Sequence, residues 1–230
     1  MEIREYEDLI RKEITSLVEC IIYNKKLTIS ANSRAGAEIS DWLEDQFVKS
    51  TLKHKYLKDA EGAPKGKTKN PWDVRCFFEL NGHKEEIWID FKAFKLSGSD
   101  SNPDIGTPNK VIKFIERGGF YLLYVHVYYE KFKTGLKFIS QDGKTVKSYF
   151  LKDVSSTFRR TPTNQLQVNI HASPTYRSRE EFIDLLIEKL KESLARQLLK
   201  AKKKLEETDE IKKTLKEKNK ITQKIIEEKI

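Results

Sequence analysis

The chain has 230 residues, 44 of them Lys or Arg against 35 Asp or Glu, which leaves a formal charge of +9. With 38% apolar and 34% charged residues it is globular and heavily solvated, with room for one good core and an appendage. Two cysteines, no basic-then-apolar leader and no bilayer-length apolar run argue against a disulfide scaffold, a secreted protein and a membrane protein. The expectation is a reduced, soluble, cytoplasmic protein with Cys20 and Cys76 buried, whose surplus charge points to a polyanionic partner.

In chain order, residues 3–23 have the apolar spacing of an amphipathic helix, with Ile3, Tyr6, Leu9, Ile10, Ile14, Leu17 and Ile21 on one stripe. Ser33 is placed to cap a second helix from about Ala35, striped by Ile39, Trp42, Leu43, Phe47 and Leu52. "KHKYLKDAEGAPKGKTKNPWD" mixes Gly, Pro and Lys without periodicity and reads as a long loop. "DVRCFFEL" and "EEIWIDFKAF" read as strands around the turn signal "NGH". A polar loop, "SGSDSNPDIGTP", leads into a short helix, "NKVIKFIER". The nearly unbroken apolar and aromatic run "GGFYLLYVHVYYEKF" predicts a central strand. "GLKFIS" and "TVKSYFLKD" flank "QDGK" as a further hairpin. Residues 155–176 are polar and irregular apart from a β-capable piece at Leu166–Ile170. From Arg177 the pattern is helical to the end, its apolar face thinning after Thr208. This order predicts an α/β (α+β) fold with one mixed β-sheet flanked by helices and a long C-terminal helix. A single domain over residues 1–205 would then carry a charged helical extension over 206–230.

The strand "EEIWIDFKAFK" sets Trp88, Asp90 and Lys92 on one face and Ile87 and Ile89 on the other, with Asp90 and Lys92 about 7 Å apart. Alone, that spacing is more often an exposed ion pair than a site. A second acid changes the reading. Asp73, in "NPWDVR", opens the strand expected to pair with this one, and the hairpin lays that strand's start beside its partner's end. Two carboxylates from neighbouring strands suit Mg²⁺, which accepts one or two carboxylates and keeps waters and phosphate oxygens. Lys92 could then contact a scissile phosphate and orient or help deprotonate an attacking water. A rival pairing, Pro103-Asp104 with Asp142-Gly143-Lys144, is set aside because Asp142-Gly143 is a turn dipeptide. The four histidines are scattered, and His126, inside an apolar strand, is expected to be a hydrogen-bonded core residue. No Gly-rich phosphate cradle argues for a nucleotide cofactor.

Asp73 with Asp90-Phe91-Lys92 resembles the PD-(D/E)xK nucleases, the superfamily that contains most type II restriction endonucleases. Trp72 stands where that pattern has proline, which comes one place earlier as Pro71. Members often add a carboxylate from an N-terminal helix. In "RAGAEISDWLED" the candidates are Glu38 and Glu44, and Glu38, just after Gly36, is favoured over Glu44, Asp41 and Asp45. "KNPWD", "SNPDIGT", "NKVIKFI", "YVHVYYE" and "PTYRSREEF", with the two segments already quoted, extend the resemblance to a family of type II restriction endonucleases up to about Leu205. The resemblance implies a bacterial homodimer that uses Mg²⁺ to cut the palindrome ATTTAAAT in double-stranded DNA to blunt ends.

Two segments are candidates for holding DNA. Lys65, Lys67 and Lys69, in the lysine-rich loop before Asp73, can supply sequence-independent phosphate contacts. In "TFRRTPTNQLQVNIHASPTYR", Arg159 and Arg160 suit phosphates or a narrow minor groove. Asn164, Gln165, Gln167 and Asn169 are amides able to pair with adenine. A structure-selective repair or junction-resolving nuclease is the alternative enzyme, disfavoured by that amide-rich loop. A non-catalytic DNA-binding protein is disfavoured by the acids collected where phosphate would lie.

Overall fold

Asn81 and Gly82 both adopt positive φ, 50° and 77°, the two-residue turn whose twist matches that of antiparallel strands. In the computed structural model this turn joins β3 (Val74–Leu80) to β4 (His83–Lys95) with Val74 opposite Ile89 and Leu80 opposite His83. The structure describes residues 1–23, 25–28, 35–64, 72–95, 103–133, 135–169 and 171–229. Ser33, Pro71, Lys65, Lys67 and Lys69 lie outside the described residues, so the expectations attached to them stay with the sequence.

The other elements are α1 (Ile3–Ile22), β1 (Lys26–Leu27), α2 (Ala35–Thr51), β2 (Leu57–Gly62), α3 (Pro108–Glu116), β5 (Leu122–Phe132), β6 (Gly135–Ile139), β7 (Val146–Phe150), β8 (Arg159–Arg160), β9 (Leu166–Gln167) and α4 (Arg179–Glu227). Strands β1 to β7 form one sheet in the order β1-β6-β5-β4-β3-β2, with β7 also paired to β5. β4 and β5 run parallel, connected through α3, while the other pairs are antiparallel, so the sheet is mixed as expected. β5 is central: eight of its eleven residues, Leu122 to Tyr129, are buried. Two compact units divide the chain, Met1–Ile183 and Asp184–Ile230. Among the described residues no helix is long and apolar enough to cross a membrane.

Pleat parity gives the sheet two different faces. Ile87, Ile89 and Phe91 of β4 join Ile10 and Ile14 of α1 and Ile39, Leu43 and Phe47 of α2 in one core, and the Phe47 and Phe91 rings meet at 5.8 Å. Each such fully buried side chain contributes about 1.5–3 kcal/mol. Trp88, Asp90 and Lys92 point the other way, and Trp88 stacks on Phe114 of α3 at 4.1 Å.

Three expectations change here. The segment read as one long loop contains β2, an edge strand paired to β3 through an irregularity between Lys58 and Glu61, where Asp59 has positive φ. Only Leu57 of β2 is buried, so it lacks the apolar alternation that marks a half-buried strand. The expected β6–β7 hairpin does not form. β6 pairs with residues 128–132 of β5 and β7 with residues 123–127, so the two lie end to end along one long strand. Asp142 and Gly143 sit at positive φ in the excursion between them. Cys20 is exposed, because the buried stripe of α1 runs through Ile10, Ile14, Val18 and Ile22; Cys76 is buried.

His126 is buried, as expected, but among the described residues neither ring nitrogen has a hydrogen-bond partner. The rings of Phe94 and Tyr149 lie against it edge to face, at 5.0 and 5.3 Å. Burial pushes its pKa down to about 3, with Lys147 and Lys92 adding to the shift. Above pH 6.5 both folded and unfolded forms are neutral and nothing is lost, whereas below it the unfolded chain takes up a proton that the folded chain refuses. Wild type is expected to lose about 2 kcal/mol between pH 7 and pH 5 that a His126→Leu variant keeps. Urea midpoints at the two pH values measure it, and equal pH dependence in both proteins would refute it.

Candidate active site

Asp73 directly precedes β3, and its backbone is held from both sides. Its N–H donates to Ile89 O at 2.9 Å, and its carbonyl accepts from Ala63 N–H at 2.8 Å. Its Oδ2 accepts the Phe91 N–H at 2.7 Å, which orients the carboxylate toward the next residues of β4. Continuing the β3–β4 register by one step sets Asp73 opposite Asp90. Lys92 Nζ lies 2.6 Å from Asp90 Oδ1, and the two side chains keep 31% and 18% of their surface exposed. The three groups that the strand parity predicts on one face are thus brought together.

Their electrostatics show the strain of that arrangement. Burial, and then the Asp90 charge, push Asp73 up to about 7, against the pull of Lys92 and the Phe91 N–H. Burial likewise raises Asp90 above the usual carboxylate range, opposed by Lys92 and by Lys110 of α3. Burial alone would lower Lys92, but Asp90, Asp73 and Asp104 together outweigh it and hold the amine above its ordinary value. Two carboxylates that resist ionising side by side are what a small divalent cation relieves. Among the described residues no three His, Cys, Asp or Glu side chains converge as a metal cage. A pair of carboxylates fits Mg²⁺, which keeps the rest of its shell for water and phosphate.

Helical phase sets which carboxylate of α2 faces the sheet. Gly36, Ser40 and Glu44 recur every four residues on one face of α2. A Cβ at Gly36 would sit 3.2 Å from Ala93 O, and Ser40 Oγ donates to Phe91 O at 3.2 Å. One turn further on, Glu44 reaches Gly62, where its Oε1 fills the space a Cβ would take, and its charge helps to raise Asp73. Glu38 is exposed, two residues from Ser40 and so on the far side of the helix. Of the two candidates, the structure thus brings Glu44 toward Asp73 and leaves Glu38 on the other side of α2.

The arginine- and amide-rich segment folds as the β8–β9 hairpin, with Arg159 opposite Gln167 and Arg160 opposite Leu166. Pro103–Gly106 runs beside β9: Ile105 N–H donates to Leu166 O at 2.7 Å, and Leu166 N–H to Gly106 O at 2.8 Å. Tyr124, the β5 register partner of Asp90, donates its hydroxyl to Ile105 O at 2.6 Å. The candidate reader is thereby fastened to the sheet beside the acids.

Three of the four amides are already engaged. Asn164, at φ 65°, accepts from Arg160 Nε at 2.7 Å. Asn169 Oδ1 accepts the His171 N–H, and Gln167 Nε2 donates to Asp104 Oδ1 at 2.8 Å. Gln165 is half-buried, with its backbone N–H on Thr161 Oγ1 at 3.1 Å, and Arg159 is exposed. Asp104, part of the pairing set aside from sequence, and Lys110 stand close enough to act on Lys92 and Asp90. The sequence offered Asp104 only within that rival pairing and gave no sign of Lys110; both arrive from the α3 connection.

A mixed sheet flanked by helices, with acids gathered on one face, is the build of restriction endonucleases. Residues 2–208 match the model of the SwaI-like family, described as SwaI restriction endonuclease, and the chain belongs to that family. It is a type II restriction endonuclease, a site-specific deoxyribonuclease acting on double-stranded DNA. No curated protein matches the chain.

Proposed function

We propose that this enzyme hydrolyses ATTTAAAT to blunt ends as a Mg²⁺-dependent homodimer with a PD-(D/E)xK site, in the bacterial cytoplasm. The observation that carries the reading is the juxtaposition of Asp73, Asp90 and Lys92 on one face of the sheet. Asp73 and Asp90 would hold the metal, with Glu44 the helix carboxylate nearest to it. Bound Mg²⁺ supplies Lewis-acid polarisation of the phosphate and makes the attacking water more acidic. Lys92, kept protonated by its acidic neighbours, offers hydrogen bonds and positive charge to the phosphate oxygens and fixes the water in line. The Phe91 N–H keeps the Asp73 carboxylate turned toward Asp90 throughout. A palindromic target matches a two-fold protein, one active site per strand.

Contact with DNA is assigned to Lys65, Lys67 and Lys69 before Asp73, and to the β8–β9 hairpin. Within the hairpin, Asn164, Gln167 and Asn169 shape the loop, Gln165 reads a base edge, and Arg159 and Arg160 meet the backbone. Gln165→Ala is expected to weaken discrimination at one A·T pair by about 1–3 kcal/mol. Arg159→Ala should instead weaken all sequences alike and flatten the salt dependence. Competition binding against single-base variants of the site separates the two, and an unchanged preference in Gln165→Ala removes that residue from the reader.

Digestion of plasmid DNA with and without Mg²⁺, followed by sequencing of the fragment ends, tests the whole reading. Blunt ends cut at the centre of ATTTAAAT, formed only with the metal, are expected. Cleavage at another sequence, staggered ends, or equal cleavage in EDTA would contradict it.

A further inference from the structure

Asp104 and Gln167 form an antiparallel β-bridge between residues 63 apart in the chain. Backbone bonds flank the pair: Ile105 N–H donates to Leu166 O at 2.7 Å, and Val168 N–H to Pro103 O at 3.4 Å. Facing residues that exchange no backbone bonds of their own bring their side chains closest. Here Gln167 Nε2 donates to Asp104 Oδ1 at 2.8 Å. Pleat parity turns the neighbouring residues to the opposite face, where Pro103, Ile105, Leu166 and Val168 are all buried. Residues 103–106 are therefore a strap whose backbone is fixed by packing. The Asp104 carboxylate is exposed, and Gln167 is the group that aims it.

The same strap reaches the catalytic face. Tyr124 lies opposite Asp90 in the β4–β5 register, is buried, and donates its hydroxyl to Ile105 O at 2.6 Å. Asp104, the residue before that carbonyl, stands close enough for its charge to act on Lys92. One carboxylate thus meets the hairpin through a hydrogen bond and the amine through its field. A charge-assisted bond is directional, so a shift of Gln167 re-aims the carboxylate. Coulombic attraction falls with distance, so the shift is felt at Lys92.

We infer that Asp104 is a positioning residue that carries sequence recognition into the chemical step, braced by Gln167 of the hairpin and acting on the amine of Lys92. This rests on the hairpin being the reader of bases, as proposed above. At the correct sequence the hairpin is seated, Gln167 holds Asp104, and Lys92 keeps its place against the phosphate. At a wrong base pair the hairpin is displaced, Asp104 follows Gln167, and the bound enzyme cuts slowly. Part of the discrimination then lies in rate instead of affinity.

Two measurements separate these parts, on the ATTTAAAT duplex and on duplexes with one substituted pair. Single-turnover cleavage at saturating enzyme gives the rate of the bound complex, and competition binding in Ca²⁺ gives affinity. Wild type is expected to cut the substituted duplexes about tenfold or more slowly once bound. Asp104→Asn keeps the shape and an acceptor for Gln167 but drops the charge, whereas Gln167→Leu keeps the backbone bridge and frees the carboxylate. Each should slow the correct duplex until that penalty shrinks to about threefold or less, with the preference in binding retained. The double variant should go no further, because both residues act through one carboxylate. Wild-type rates in Asp104→Asn would make the residue a mere tether of the loop and overturn the inference. Losses that multiply in the double variant, or a wild-type penalty lying wholly in binding, would overturn it as well. If Gln165→Ala shifts the binding preference while the Asp104 and Gln167 variants behave as wild type, the reader stands and only this inference falls. If Gln165→Ala and Arg159→Ala both bind as wild type does, the reader falls and takes the inference with it.

Discussion

An Asp90→Asn enzyme is expected to cleave DNA at least about 10³-fold more slowly than wild type while still binding its site. Asparagine has the shape of aspartate, so the β4 backbone, the Phe91 N–H bond to Asp73 and the Ile89 and Phe91 packing are undisturbed. What is lost is one of the two charges available to a divalent cation, together with the anion 2.6 Å from Lys92. Removing a carboxylate from beside the phosphate also relieves repulsion, so binding measured in Ca²⁺ should hold or tighten. Lys92→Ala should match the loss in rate, because the amine is the cation nearest Asp90. Single-turnover cleavage and fluorescence anisotropy on the same duplex give both quantities. A loss of binding in step with activity would mean that the residue serves folding or docking instead of chemistry.

The second large effect concerns stability. Lys152 is 1% exposed, and its Nζ lies 2.9 Å from Glu7 Oε2, 2.8 Å from Asp153 Oδ1 and 2.7 Å from Arg177 O. The ammonium also sits 4.1 Å from the centre of the Tyr176 ring. Asp153 in turn accepts from Arg177 N–H at 2.9 Å, so one lysine ties α1, the turn at Leu151–Asp153 and the approach to α4 together. Burial raises the Glu7 pKa despite the opposing pull of Lys152, a sign of how little water reaches the cluster. Lys152→Met leaves two carboxylates without their cation and is expected to cost about 3–5 kcal/mol. Adding Glu7→Gln should recover part of that loss, since the stranded charge is removed with its partner. Guanidinium unfolding of the three proteins measures it; a single variant within about 0.5 kcal/mol of wild type would show the cluster to be incidental.

The legible part of the site was the part set by local rules. Asn81-Gly82 dictates a tight hairpin, pleat parity dictates that Asp90 and Lys92 share a face, and together they bring Asp73 to Asp90 without further information. Central placement of β5 was equally plain, because a strand buried on both faces has to be apolar on both. Which of Glu38 and Glu44 faces the sheet was not legible. The rotation of α2 about its axis is fixed by Ser40 reaching Phe91 O and by the closeness of Gly36 to Ala93, contacts some fifty residues apart in the chain. β2 escaped notice because its stability comes from β3 and its own side chains are mostly wet. β6 and β7 read as partners of each other because the sequence signals turns and strands well and partner choice poorly. The amides of the hairpin looked alike as letters, yet Asn164 is a turn residue at positive φ and Gln167 is held by Asp104. The Lys152 cluster joins residues from opposite ends of the chain and left no local trace.

If Asp73, Asp90 and Lys92 act as one catalytic unit, as proposed, their effects on rate are non-additive, and that is the most direct test. Single-turnover cleavage of an ATTTAAAT duplex should be compared for wild type, Asp73→Asn, Asp90→Asn, Lys92→Ala and the triple variant. Each single change is predicted to bring the rate near background, with the triple falling no further. A wild-type rate in any single variant, or losses that multiply independently through to the triple, would contradict it.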